Sequence, residues 1–455
     1  MKVTVKNLGI LKQAEFEVGD LTIICGANNT GKTYATYALY GFLDFWNGNF
    51  TPVLLKKDEI EELFINGSTK IELDDLKTRA IEIVDRACKE YPARLPSVFA
   101  VSDSYFKSPS ITISLDSSEL REPENYNVNY SLRGKPLFKI SQKKEESFLS
   151  ISITAQAEDM EKIDREWLTP HVNRRILNVV LENIFTTPFF ASTERTGAAI
   201  FLKELDYART RLLEQMNNEK ETSPKIDTRY ALPVARDIDF VRDLENTSKF
   251  ESVIALNDPV ILNSFRDILG GEYMATRTGL YFIPTKHRVR LRMGESSSSV
   301  RSLLDVGFYI RHLAEPGDIL MIDEPELNLH PANQRRMARL LARLVNAGVR
   351  VFITTHSDYI LKEFNTLIML KRGGAAAERV MKEYGYDKKE LLDAAKIRAY
   401  IAQEAPLKAE GKARTRKYHT FVPAPIDEHG IEVESFDETI NLMNLIQEEL
   451  IFGNH

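Results

Sequence analysis

The eight residues Gly26-Ala27-Asn28-Asn29-Thr30-Gly31-Lys32-Thr33 constrain this chain more than any other stretch. They fit the pattern G-x-x-x-x-G-K-[ST], whose glycines let backbone N–H groups turn inward around an anion. Both flanks agree. Leu21-Thr22-Ile23-Ile24-Cys25 has the composition of a buried strand, and Ala35, Ala38, Leu39, Phe42 and Leu43 recur at helical spacing. Strand, glycine loop and helix together predict a cradle for a nucleoside triphosphate. Gly26, Asn28, Asn29, Thr30 and Gly31 would form its wall, Lys32 would reach the β and γ phosphates, and the Thr33 hydroxyl would ligate Mg2+.

A second dense cluster lies in the C-terminal third. After the turn Pro316-Gly317-Asp318, the apolar run Ile319-Leu320-Met321-Ile322 reads as a buried strand that delivers Asp323 and Glu324 at its end. This is a Walker B arrangement, in which Asp323 would hold the Mg2+ shell and Glu324 would orient or deprotonate the attacking water. A helix is predicted from about Ala332 to Asn346, closing at Gly348. Val349 to Ser357 then reads as another buried strand with His356 at its exit. In an open parallel sheet ligands sit at the carboxyl ends of strands. Lys32, Glu324 and His356 are therefore expected to converge as the catalytic set, His356 as a sensor of the γ-phosphate.

At 455 residues the chain exceeds one ordinary core, so two or three folding units are expected. The sequence divides into an N-terminal part of the nucleotide fold at 1–50, an inserted α+β region at 51–187, the remainder of the fold at 188–371, and an extension at 372–455. The insertion carries two charged helices at about 55–92, alternating strands at 110–155 and no long heptad run. The 188–371 part begins with a buried strand, Pro188 to Ser192, followed by a helical block at 198–270. The extension contains the basic run Lys408, Lys412, Arg414, Arg416, Lys417 and His419, then a helix from about Phe436 to Leu450.

Charge excludes one class of function. With 60 Lys and Arg against 66 Asp and Glu, the net charge of −6 is not that of a polycation built to coat nucleic acid, although a local basic patch remains open. Cys25 and Cys88 form no disulfide framework, which implies a reducing cytoplasm. No run of about 18 apolar residues occurs, and Met-Lys-Val-Thr-Val alternates like a strand, so no membrane role is expected.

Taken together, these motifs resemble the ABC-type ATPase heads of the SMC, RecF and OLD-like group, over 1–46 and 188–370. The resemblance implies an α/β fold, a mixed sheet with flanking helices, and ATP with Mg2+ as the nucleotide. Asn328 to Pro331 would occupy the D-loop region and His356 the switch position. The group dimerises around ATP through a signature segment, for which the candidate is Glu295 to Ser302. In it Ser297, Ser298 and Ser299 would meet the nucleotide of the opposite copy. A serine stands where glycine is usual and Ser-Gly-Gly-Gln is missing, so a Ser-rich linker is the other reading. Thr193-Glu194-Arg195 sits where related chains carry an arginine after a core strand. OLD-type proteins continue into a Toprim nuclease, but Glu410-Gly411 is a poor start for one, with no buried strand read before it and no Asp-x-Asp after it. No intrinsic nuclease is expected.

A compact OLD-like ATPase without a nuclease resembles the stand-alone ATPase subunits of bacterial anti-phage systems such as PARIS and Septu. That likeness implies a homo-oligomer that senses a phage-encoded trigger and controls a separate effector such as a nuclease, in a toxin–antitoxin-like manner. A RecF-like ATPase of DNA repair or recombination that clamps DNA directly is the alternative. A transporter subunit is disfavoured by the missing Ser-Gly-Gly-Gln.

Overall fold

The structure is a computed structural model that describes the 455 residues except 133, 145, 156–163, 182–183, 202–229, 277–278, 288, 408–414, 434–441 and 451–455. It comprises two compact units. The larger holds Thr4–Gly41, Arg94–Pro109 and Pro188–His455, and the smaller holds Met1–Val3, Phe42–Ala93 and Ser110–Thr187.

The larger unit is built on a mixed sheet. Its strands are β1 (Lys2–Leu8), β2 (Leu11–Glu17), β3 (Leu21–Cys25), β9 (Pro188–Ala191), β13 (Ile319–Asp323), β14 (Arg350–Thr355), β15 (Ile397–Leu407) and β16 (Arg416–Pro423), in the spatial order β1-β2-β16-β15-β3-β14-β13-β9. Strands β15, β3, β14, β13 and β9 run parallel, with Ile401 beside Cys25, Cys25 beside Thr355, and Thr354 beside Asp323. Every residue of β3 and β13 is buried, as expected of strands covered on both faces. The mixed α/β sheet with flanking helices that the family resemblance implies is what the chain forms.

The helices are those the apolar spacing demands. Pro331–Asn346 starts with proline at its first position, is capped by the His330 side chain, and buries Met337, Leu340, Leu341, Leu344 and Val345 on one stripe. Asp358–Lys371 is capped by Ser357, whose hydroxyl accepts from the Ile360 N–H at 3.3 Å. These helices share one core with Leu21, Ile23, Leu320, Ile322, Val351 and Ile353.

One expectation is revised. Residues 372–455 were set apart from the nucleotide fold, whereas β15 lies inside the sheet, hydrogen-bonded to β3 on one side and β16 on the other. The physical reason is that β3 has two edges to pair and β14 covers one of them. The premise about Glu410 changes with it. A partly buried strand, Ile397–Leu407, does precede that position, while Glu410 itself, with Lys408, Lys412 and Arg414, falls outside the described residues.

In the smaller unit, helices Lys57–Asn66, Leu73–Glu90 and Arg165–Leu181 accompany the antiparallel sheet β4-β8-β7-β6, with β4 Ser68–Glu72, β6 Asn127–Leu132, β7 Lys135–Ser141 and β8 Phe148–Ile153. Arg79 forks onto Glu59 at 2.7 and 2.8 Å, and Trp46 packs on Phe185 at 4.6 Å between ring centres.

Candidate functional site

The glycine loop is shaped by its neighbours. Gly26 has φ of +138°, and a Cβ there would lie 2.5 Å from the Ala402 carbonyl of β15, so only glycine fits. Gly31 has φ of +97° and Asn29 φ of +61°. Asn28 and Asn29 are exposed at the loop's crest, the Thr30 hydroxyl donates to the Ala27 carbonyl at 2.8 Å, and Thr33 is exposed. Lys32 is only 7% exposed, and its Nζ donates to the carbonyls of Gly26 and Ala27, each at 2.8 Å. Burial lowers its pKa, while the charges of Glu324, Asp323 and Glu326 pull it back up. The lysine thus folds onto its own loop within the field of three carboxylates.

Two adjacent strand exits supply the acids. Asp323 ends β13, its carboxylate accepting from the Thr354 hydroxyl, and burial pushes its pKa up to about 6. Glu324 is the first residue past the strand and sits at φ of +52°, a left-handed conformation that is uncommon and costly for a residue with a side chain. Its N–H donates to the Thr354 carbonyl at 3.0 Å. His356 leaves β14 with Nδ1 3.5 Å from Glu324 Oε1 and 3.4 Å from Glu326 Oε1. The histidine hydrogen bond holds the Glu324 carboxyl below its ordinary range, and the same contact raises the His356 pKa. The structure therefore brings Lys32, Asp323, Glu324 and His356 together at the carboxyl edge of β3, β14 and β13.

Sequence reasoning overlooked Glu326. It is 5% exposed, and its Oε1 accepts from the Thr355 hydroxyl and the His356 N–H, both at 2.8 Å, so it ties one strand exit to the next. Burial raises its pKa. The motif alone did not single it out, since a carboxylate three residues past Asp323 can as well face solvent as fold beneath its own turn.

Arg195 is placed differently from a nucleotide ligand. Its side chain is 1% exposed and its N–H groups point at backbone carbonyls, Asp323 and Glu324 among them. The serine segment forms a short helix, Ser298–Ser302, with Ser297 capping the Val300 N–H at 3.4 Å. Ser297 and Ser298 are exposed, Ser299 is half-buried, and the Ser297 and Ser299 hydroxyls bond each other at 2.9 Å. From its far end the Ser302 hydroxyl donates to the Leu327 carbonyl at 3.0 Å, joining the segment to the turn at Asn328, itself at φ of +61°.

The chain is similar to several known proteins. Two curated relatives, the cell division ATP-binding protein FtsE of Streptococcus pneumoniae serotype 2 strain D39 and that of strain R6, are each 28% identical over 109 residues. That match covers 24% of this chain and 46% of theirs, so it spans less than half the length of these relatives. Among solved structures, the SMC head domain from Thermotoga maritima is 10% identical with a TM-score of 0.30, covering 93% of this chain and 98% of that one. The Smc head domain bound to the C-terminal domain of ScpA derived from Pyrococcus furiosus is 12% identical with a TM-score of 0.30, covering 98% of each. These likenesses are too loose to argue from. The model of the AAA ATPase domain, however, matches residues 1–361, from before the glycine loop to beyond the exit of β14, and a match of that extent shows that the chain belongs to the AAA ATPase domain family.

Proposed function

We propose that this ATPase binds ATP on the loop at Gly26 and hydrolyses it with Glu324 positioning or deprotonating the water, His356 reading the γ-phosphate, and Lys32 leaving its loop carbonyls for the phosphates. The observation that carries this reading is the convergence of Lys32, Asp323, Glu324 and His356 at neighbouring strand exits. Mg2+ fits the same place. Asp323 is a desolvated carboxylate whose charge a cation would stabilise, and Thr33 offers an exposed hydroxyl. Such an ion supplies charge neutralisation at the phosphates.

The unit of action is at least a homodimer. Ser297, Ser298 and Ser299 of one copy meet the nucleotide held on the loop of the other, so hydrolysis weakens the clamp and converts binding energy into a change of shape. In this reading the assembly is a cytoplasmic sensor of bacterial anti-phage defence, which responds to a phage-encoded trigger and controls a separate effector, a nuclease. The smaller unit supports it, being a compact body of helices and an antiparallel sheet instead of a coiled-coil arm. A second reading, a DNA-clamping repair ATPase, is favoured by the exposed Arg416 and Lys417 on β16. It requires ATP-dependent DNA affinity that falls steeply with salt.

Mixing two inactive variants tests the shared site. Lys32→Ala spoils the loop but keeps the serine segment, and Ser298→Arg does the reverse. Once both are shown to be folded, associated and exchanging, the mixture is expected to regain part of the ATPase activity, because mixed dimers hold one intact pairing. A mixture no more active than either variant alone would return the serines to the role of linker.

A further inference from the structure

Arg195 occupies the space between the serine segment and the acid turn, and its contacts are unusual for a buried arginine. Nε donates to the Ser302 carbonyl at 2.7 Å. Nη1 lies 2.5 Å from the Ser192 carbonyl, 2.8 Å from that of Asp323 and 3.4 Å from that of Ala191, while Nη2 lies 2.9 Å from the Glu324 carbonyl. One guanidinium thus fastens the exit of β9, the end of the serine helix and the two peptides that carry the acids. Only a planar fork of N–H donors can serve so many carbonyls at once; an ammonium of the same charge cannot.

The Glu324 peptide is where this matters most. Its left-handed backbone is held from one side by the Thr354 carbonyl, which takes its N–H, and from the other by Arg195 and the Leu327 N–H, which share its carbonyl. The direction of the Glu324 side chain follows from that pinned backbone. Because the same guanidinium also holds Ser302, a shift of the serine helix cannot leave the Glu324 peptide undisturbed. Two buried carboxylates, Asp237 and Asp305, set the field around Arg195, and both oxygens of Asp305 lack a hydrogen-bond partner.

We propose that Arg195 is a positioning residue for hydrolysis, which sets the aim of Glu324 through its backbone and makes that aim depend on the place of the serine segment. The proposal rests on the ATPase reading above and gives Arg195 no contact with nucleotide.

The test compares wild type, Lys32→Ala and Arg195→Lys as full chains, with steady-state ATPase kinetics, titration of a fluorescent ATP analogue and thermal melting. Arg195→Lys keeps the buried charge opposite Asp237 and Asp305 but not the fork. It is expected to melt lower than wild type, because buried carbonyls lose their donors, but to stay folded at the assay temperature and bind the analogue within about two-fold of wild type, while kcat falls about ten-fold or more at unchanged KM. Unchanged kcat, or a loss of kcat matched by an equal loss of analogue binding, would overturn the proposal. Should Arg195→Lys not fold, Arg195→Met combined with Asp305→Asn removes a buried cation and a buried anion together, and the same split is expected. If neither folds, Arg195 is a folding residue and the proposal falls. A folded wild type without turnover would sink the ATPase reading and this inference with it, whereas turnover lost in Lys32→Ala but kept in Arg195→Lys sinks the inference alone.

Discussion

Two nearly inaccessible arginines, Arg343 at 3% exposure and Arg195 at 1%, show how differently one protein can treat a buried cation. Arg343 forks onto Asp258 at 2.8 and 3.0 Å and reaches Asp387 at 2.8 Å. Burial is the largest single influence on Asp258 and works against its charge, but the hydrogen bonds and charges of Arg343 and Lys389 together outweigh it and hold that carboxyl below its ordinary range. Arg195 has only carbonyls in its grip. Burial drives the carboxyls in its field the other way, Asp237 to about 7 and Asp305 well above its ordinary value. One cluster is a matched staple between a helix and two loops, and the other carries unmatched charge beside the strand exits. Poorly matched charge is what functional sites retain and structural sites eliminate.

The largest expected effect lies on the unmatched side. Glu324→Gln should still bind ATP but lose about 10²- to 10⁴-fold in kcat, and Lys32→Ala should lose binding or turnover altogether, neither lowering the melting temperature. Wild-type turnover in Glu324→Gln would remove Glu324 from the chemistry. The matched cluster should respond in the opposite manner. Arg343→Met leaves Asp258 buried without its fork and should cost about 3–5 kcal/mol of stability, measured by denaturant unfolding, with the turnover of the folded fraction preserved. Equal loss of turnover would mean that the staple is part of the site.

A smaller effect separates the clusters by the sign of their pH response. Asp237 and Asp323 are raised from 3.8 to about 7 and about 6, so the stability they contribute is full below pH 3.8 and is lost as pH rises through those values. The Asp258 and Asp387 carboxyls are lowered, so their contribution is present above 3.8 and is lost as pH falls through their folded values. The nucleotide-free protein should therefore melt at lower temperature as pH rises from about 5 to 8, and Asp237→Asn should flatten that slope. A slope unchanged in Asp237→Asn would assign it to other groups.

Where the chain repeats a local rule, its sequence was legible. The loop, the apolar run before Asp323 and the run before His356 each combine a buried strand with a polar exit, and a parallel sheet brings such exits together without further instruction. The strand β15 gave no comparable signal. Ile397, Ala399, Tyr400 and Ala402 are buried, but from Gln403 onward it leaves the core, and its pairing with β3 joins residues almost the whole chain apart. Arg195 was noticed but not understood, because its partners are main-chain carbonyls that every residue carries. Glu326 was hidden by its neighbours, two acids within three positions offering no hint of which would point inward.

The contact between Gly26 and Ala402 also orders events during synthesis. A ribosome makes the glycine loop before the backbone against which that loop is shaped, which follows some 370 residues later. Until then β3 has an unpaired edge and the loop has no wall, so a nascent chain exposes a sticky strand. The wall that shapes the loop therefore arrives late in synthesis.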